Sequence, residues 1–122
     1  MRQAAAQAYG KVAKQTANPR ELEADLLLKA AAKLQAVQDS WEQGKATLDE
    51  ALLYNRKLWT IFAASVAEAN HPLPREIRQN VANLGLFVMN HTVSVMADPK
   101  PEKLASLIRI NRELAAGLLG RG

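Results

Sequence analysis

A chain of 122 residues supports one small domain with one modest core. It carries no cysteine, which excludes disulfides, thiolate nucleophiles and thiolate metal sites and fits a reducing cytosol. The net charge of +4 lies wholly in the first twenty residues, where Arg2, Lys11, Lys14 and Arg20 meet no acid; the bases and acids of the remainder balance. Basicity is therefore the property of an arm. Such an arm either touches an acidic partner or nucleic acid, or simply keeps a terminus soluble.

Residues 1–17 read as a basic arm or short helix, with little apolar surface beyond alanines, Tyr9 and Val12. The stretch lacks the apolar core of a signal peptide. In "NPRELEADLL", Asn18 is placed to cap a helix, Pro19 suits its first position and Glu21 completes a capping-box spacing. Leu27, Ala30, Leu34, Val37 and Trp41 then recur at three- and four-residue intervals, and Gly44 is expected to end this first helix. The second helix is expected to begin near Thr47, with Glu50 three residues on. Leu48, Leu52, Asn55, Trp59, Phe62 and Val66 form its stripe, with Asn55 the polar member. "NHPLP" breaks that helix, because two prolines remove backbone donors and restrict their predecessors.

Pro74 is expected to open the third helix. One stripe runs through Ile77, Val81, Leu84, Val88, His91 and Val95, and a second through Leu86, Met89, Val93 and Met96. Residues 81–97 contain no Asp, Glu, Lys or Arg. A helix apolar on two faces is either central in its bundle or covered by a partner. "ADPKPEKL" is the next break, with Asp98 as cap. The last helix carries Leu104, Leu107, Ile108, Asn111, Leu114 and Leu118, and residues 120–122 form a frayed tail. The pattern predicts an all-α protein. Its single domain over 18–119 is an antiparallel bundle of four main helices, joined by the weaker N-terminal segment. No stretch reaches the roughly 18–20 apolar residues of a membrane span.

Little in the chain points to catalysis. His71 lies in a breaker loop and His91 on an apolar stripe, and neither belongs to an HExxH pair. The carboxylates gather at helix starts, where capping and the helix dipole place them. Gly44 and Gly85 are isolated, so no phosphate loop is present. The expectation is a non-enzyme with no cofactor, no metal and no small-molecule substrate. RNA binding is a rival, since Arg56, Lys57, Arg75 and Arg78 flank Tyr54 and Trp59, but no helix shows a continuous basic face.

Three segments together resemble the FlaF family of flagellar biosynthesis regulators of alphaproteobacteria, from about Tyr9 to about Val95. They are "NPRELEADLL"; "ALLYNRKLW" with Asn55, Arg56, Leu58 and Trp59; and "NHPLPREIRQNVANLGLFV" with Asn70, Leu73, Pro74, Asn83, Leu84 and Phe87. The resemblance implies a cytoplasmic protein that promotes flagellin synthesis and export, with flagellin as partner in a chaperone-like role. The alternative it leaves open is post-transcriptional action through flagellin mRNA or through the translational repressor FlbT. Candidate partner-binding residues are Arg56, Trp59, Leu73, Pro74, Arg78, Phe87 and Met89, with Trp59 and Phe87 acting as anchors only if exposed. Candidate structural polar residues are Asn55, Asn83 and His91. Asn55 points inward and is expected to satisfy its amide against the loop backbone of residues 70–74. Arg56, about 100° further round the helix, meets a partner or a structural ion pair.

Overall fold

The computed structural model describes residues 19–120, apart from the side chain of Lys45. The basic arm, the Asn18 cap and residues 121–122 lie outside the described residues. Four helices follow in order: α1 (Pro19–Asp39), α2 (Trp41–Val66), α3 (Arg75–Ala97) and, after a 3-10 turn at Pro101–Lys103, α4 (Leu104–Leu118). Among the described residues there is no strand, so the all-α expectation holds.

Helix α1 is the hub, packed along both α2 and α4. It buries Leu22, Ala24, Leu27, Ala30, Ala31, Leu34 and Val37, a face wider than the predicted stripe. The alanines let neighbouring backbones approach, and the leucines fill the space between. Each fully buried leucine contributes about 1.5–3 kcal/mol.

The first boundary differs from the one expected. The helix ends at Asp39, Ser40 turns out of helical geometry, and α2 starts at once with Trp41. Gly44 therefore lies in the first turn of α2 rather than ending α1. A Cβ there would sit 3.2 Å from the Val37 carbonyl oxygen, so the missing side chain lets the two helices meet close to their junction. Thr47 does not cap a helix either; its hydroxyl donates to the Gly44 carbonyl inside α2 (2.8 Å). A one-residue turn with close helix contact has overridden the local capping pattern.

The predicted stripe of α2 is buried throughout: Leu48, Leu52, Asn55, Trp59, Phe62 and Val66. Beyond it, the loop at 67–74 returns the chain. His71 Nδ1 accepts from the Leu73 amide (3.2 Å), and Leu73 plugs into the core. Helix α3 then runs antiparallel to α2. The Arg78 Nε–H reaches the Val66 carbonyl (2.8 Å), and Gly85 lies against Trp59 and Ala63.

Of the two placements open to α3, the central one is excluded. It packs chiefly on α2 and meets α4 only slightly. Its buried residues are Val81, Gly85, Val88, Thr92 and Val95. Their alternating four- and three-residue spacing defines a narrow seam, not a broad core face. Thr92 tolerates burial because its hydroxyl donates to the Val88 carbonyl in the preceding turn. Asp98 caps no helix with its side chain; it follows α3, and its carboxylate pairs with Lys100 (3.4 Å) and Lys103 (3.6 Å). Gly120 stands at positive φ just beyond α4, where that conformation ends the helix.

Gly85→Ala is expected to raise the unfolding free energy by about 1 kcal/mol, the helical cost of glycine relative to alanine. The added Cβ meets Ala63 Cβ at 3.6 Å and Trp59 Cε3 at 3.7 Å, ordinary contacts. Urea denaturation of the two proteins measures it, and a loss of stability would mean that the α2–α3 approach is tighter than described.

Candidate functional site

The narrow seam of α3 has two flanks, and they differ. On one, Leu86, Met89, Val93 and Met96 recur at 3-4-3 spacing and share an edge. Leu86 is 66% exposed, Val93 64% and Met96 55%, while Met89 is half-buried. Exposed aliphatic side chains are unremarkable when scattered; a continuous row marks an interaction surface. From Gln79 to Ala97 the helix carries no charged residue.

At Met96 this row meets the outer edge of α2. The antiparallel register brings Asp49, Leu52, Leu53 and Arg56 beside Thr92 and Met96, and these six line a cleft of about 250 Å³. On the α3 side Thr92 and Met96 form the wall, and Val93, Met89 and Leu86 continue the same edge of the helix beyond it. The other wall alternates in character along α2, with Asp49, half-buried Leu53 and Arg56. Neither Asp49 nor Arg56 has an ion pair among the described residues. Arg56 is exposed on the groove rim, and the structural ion pair left open for it is not formed among the described residues.

The other flank of α3 is tied to the start of α4. Phe87 stacks on His91, with ring centroids 5.1 Å apart and planes 14° from parallel. The His91 Nε2–H donates to the Lys103 carbonyl (2.7 Å), which fixes the proton on that nitrogen, and Ser106 Oγ lies 3.1 Å from it. Lys103 in turn donates from Nζ to the Ser94 carbonyl (3.1 Å). Phe87 is 42% exposed and lies on this flank, beside the His91 contacts, rather than in the groove.

Between α2 and α4 runs a buried polar chain. Trp59 Nε1–H donates to Asn111 Oδ1 (2.9 Å), and Asn111 Nδ2–H donates to Asn55 Oδ1 (2.7 Å). Asn55 Nδ2 is buried without a partner among the described residues. Asn55 does point inward, but it meets α4 and not the loop at 70–74. Packed in the core, the Asn55 side chain faces Asn111 of α4 and not the loop at the end of its own helix.

The remaining candidates fall in different places. Trp59 and Leu73 are core residues, which removes them from a partner-facing surface. Pro74 is exposed immediately before α3, and Arg78 is half-buried with its Nε engaged. Asn83 is exposed and accepts from Gln79 Nε2 (3.2 Å). Of the seven partner candidates only Arg56 lines the cleft, while Met89 lies on the same edge of α3 beyond it. Leu86, Val93 and Met96 were visible as a second stripe, whereas Asp49 and Leu53 were not singled out. Pairing α2 with α3 as a hairpin about the 67–74 break would have found them.

The architecture defines the class: an all-α bundle whose edge helix offers an apolar groove. Among the described residues no three of His, Cys, Asp and Glu converge as metal ligands, and no helix is long and apolar enough to cross a membrane. Residues 5–118 match the family model described as flagellar protein FlaF, and the chain belongs to that family. The match extends past the expected limit near Val95 and takes in α4. No curated protein and no solved structure matches the chain.

Proposed function

We propose that this flagellar protein is a non-enzymatic, cytoplasmic regulator of flagellum biogenesis. It promotes flagellin production and export by covering an amphipathic flagellin helix, in a chaperone-like manner. The observation that carries the reading is the exposed Leu86–Met96 row beside the α2 edge. A groove between two helices with one apolar wall is a seat for a third helix. Flagellin subunits present amphipathic terminal helices before they assemble. A cover over such a helix would block early polymerisation and hold the subunit ready for export.

RNA as the direct target draws less support from the described surface. Residues 79–97 are uncharged, and Arg78 is drawn inward to the Val66 carbonyl. Calorimetry with purified flagellin tests the proposal. A stoichiometric complex is expected, weakened about tenfold or more by Val93→Asp, since a carboxylate must then be buried against apolar surface. No association at tens of micromolar, or binding to FlbT alone, would overturn it.

A further inference from the structure

We propose that the groove selects a helix carrying one basic and one acidic residue two turns apart beside its apolar stripe, and that Asp49 and Arg56 set the direction in which that helix lies. The inference rests on the groove being the seat proposed above and adds what the seat reads.

The two walls of the groove have different capacities. The α3 wall is uncharged from Gln79 to Ala97, so it accepts an apolar stripe in either direction. Its row from Leu86 to Met96 is about 15 Å long, enough for nearly three turns of a bound helix. The α2 wall is polarised. Asp49 and Arg56 are seven residues apart on one edge, about 10 Å along the axis, with Leu53 between them. Both are exposed, and neither is neutralised by an ion pair among the described residues.

Seven residues are two turns on the bound helix as well. A helix running in the direction of α2 therefore matches both charges when its base precedes its acid by seven residues. One running the opposite way needs the acid first. The wrong direction sets base on Arg56 and acid on Asp49, so the discrimination comes from repulsion as much as from attraction. Both charges are on the rim and reached by water, so they choose orientation and register while the apolar row supplies most of the affinity.

The test uses the full-length protein and two synthetic amphipathic helices of about 18 residues, each with a nitroxide at its N-terminus. One places Lys seven residues before Glu beside its leucine stripe; the other has Gln at both positions. The first peptide is expected to lie along α2, broadening the amide signals of Asp49 and Met96. In the doubly substituted protein D49R/R56D the same peptide is expected to turn round and broaden Thr60 and Leu86. The Gln peptide should bind ~5-fold more weakly at low salt and broaden both ends. Identical broadening in the two proteins, or equal affinity for the two peptides, overturns the inference.

Flagellin provides the separating arm. If Val93→Asp abolishes flagellin binding while D49R/R56D leaves it unchanged, the seat stands and the charge reading falls. If flagellin does not bind but the peptides bind directionally, the flagellin reading alone falls. Self-association that is lost on Val93→Asp and excludes the peptides makes a second copy of the chain the occupant, which overturns the inference.

Discussion

Trp59→Ala is expected to lower the unfolding free energy by about 3–5 kcal/mol, the range for removing a large aromatic side chain from a core. Trp59 is fully buried, its ring tilted against Phe62 with centroids 5.9 Å apart. It also underlies Gly85 of α3 and donates to Asn111 of α4. One side chain of α2 thus touches both the edge helix and the last helix. The substitution leaves a cavity and takes the donor from Asn111 Oδ1. Small domains are stable by about 5–15 kcal/mol, so much of the margin is consumed. Urea denaturation followed by circular dichroism measures the change; a loss below about 1 kcal/mol would be incompatible with a core role. The flagellin binding proposed above should fall with the folded fraction, and restoring the fold with Gly85→Ala should recover part of it.

Asn111→Leu and Asn55→Leu are expected to differ sharply, although both residues are fully buried asparagines in one hydrogen-bonded chain. Asn111 is the middle member. Its loss strands the Trp59 indole N–H and the Asn55 carbonyl oxygen, while Asn55 Nδ2 already lacks a partner. Leaving a buried polar group unpaired costs about 1–3 kcal/mol, so a destabilisation of about 2–4 kcal/mol follows. Asn55 is the end member. Its replacement by leucine strands Asn111 Nδ2 but removes the unpaired Asn55 Nδ2, so the change should stay within about 1 kcal/mol. Chemical denaturation of both variants in parallel decides the matter. Equal losses would mean that the chain does not run from Trp59 through Asn111 to Asn55.

Much of the bundle is legible in the sequence because burial follows the 3.6-residue period closely. The α2 stripe from Leu48 to Val66 and the α4 stripe through Leu104, Leu107, Ile108 and Leu118 need no tertiary information. Junctions are harder to read. Ser40 breaks the helix with no proline and no capping side chain, because what favours the turn is the contact of Gly44 with Val37 across it. The hub is also hidden. Lysines at 29 and 33 make α1 look like a surface helix, yet both ammonium groups lie over the Tyr54 ring while the alanine-rich face is buried. For the groove, the apolar row of α3 is visible as a stripe. Its exposure is not, because exposure depends on where α1 and α4 go. The partner of Asn55 is likewise 56 residues away in sequence.

The groove has walls that are neighbours in the chain, but the body behind them closes late. Helix α1 is completed by α4 and the turn before it, through contacts such as Gln38 to the Pro101 carbonyl and Arg112 to Gln35, 63 and 77 residues apart. Such distant closure is slow compared with formation of the α2–α3 hairpin. On the ribosome the hairpin is therefore synthesised before the helix that stabilises the hub has emerged. At that stage α1 can already pack on α2 but its α4 face is open, and the uncharged edge of α3 is as exposed as in the finished fold. The apolar edge that the finished bundle leaves uncovered is thus uncovered throughout synthesis as well, a surface open to aggregation until the fold is complete.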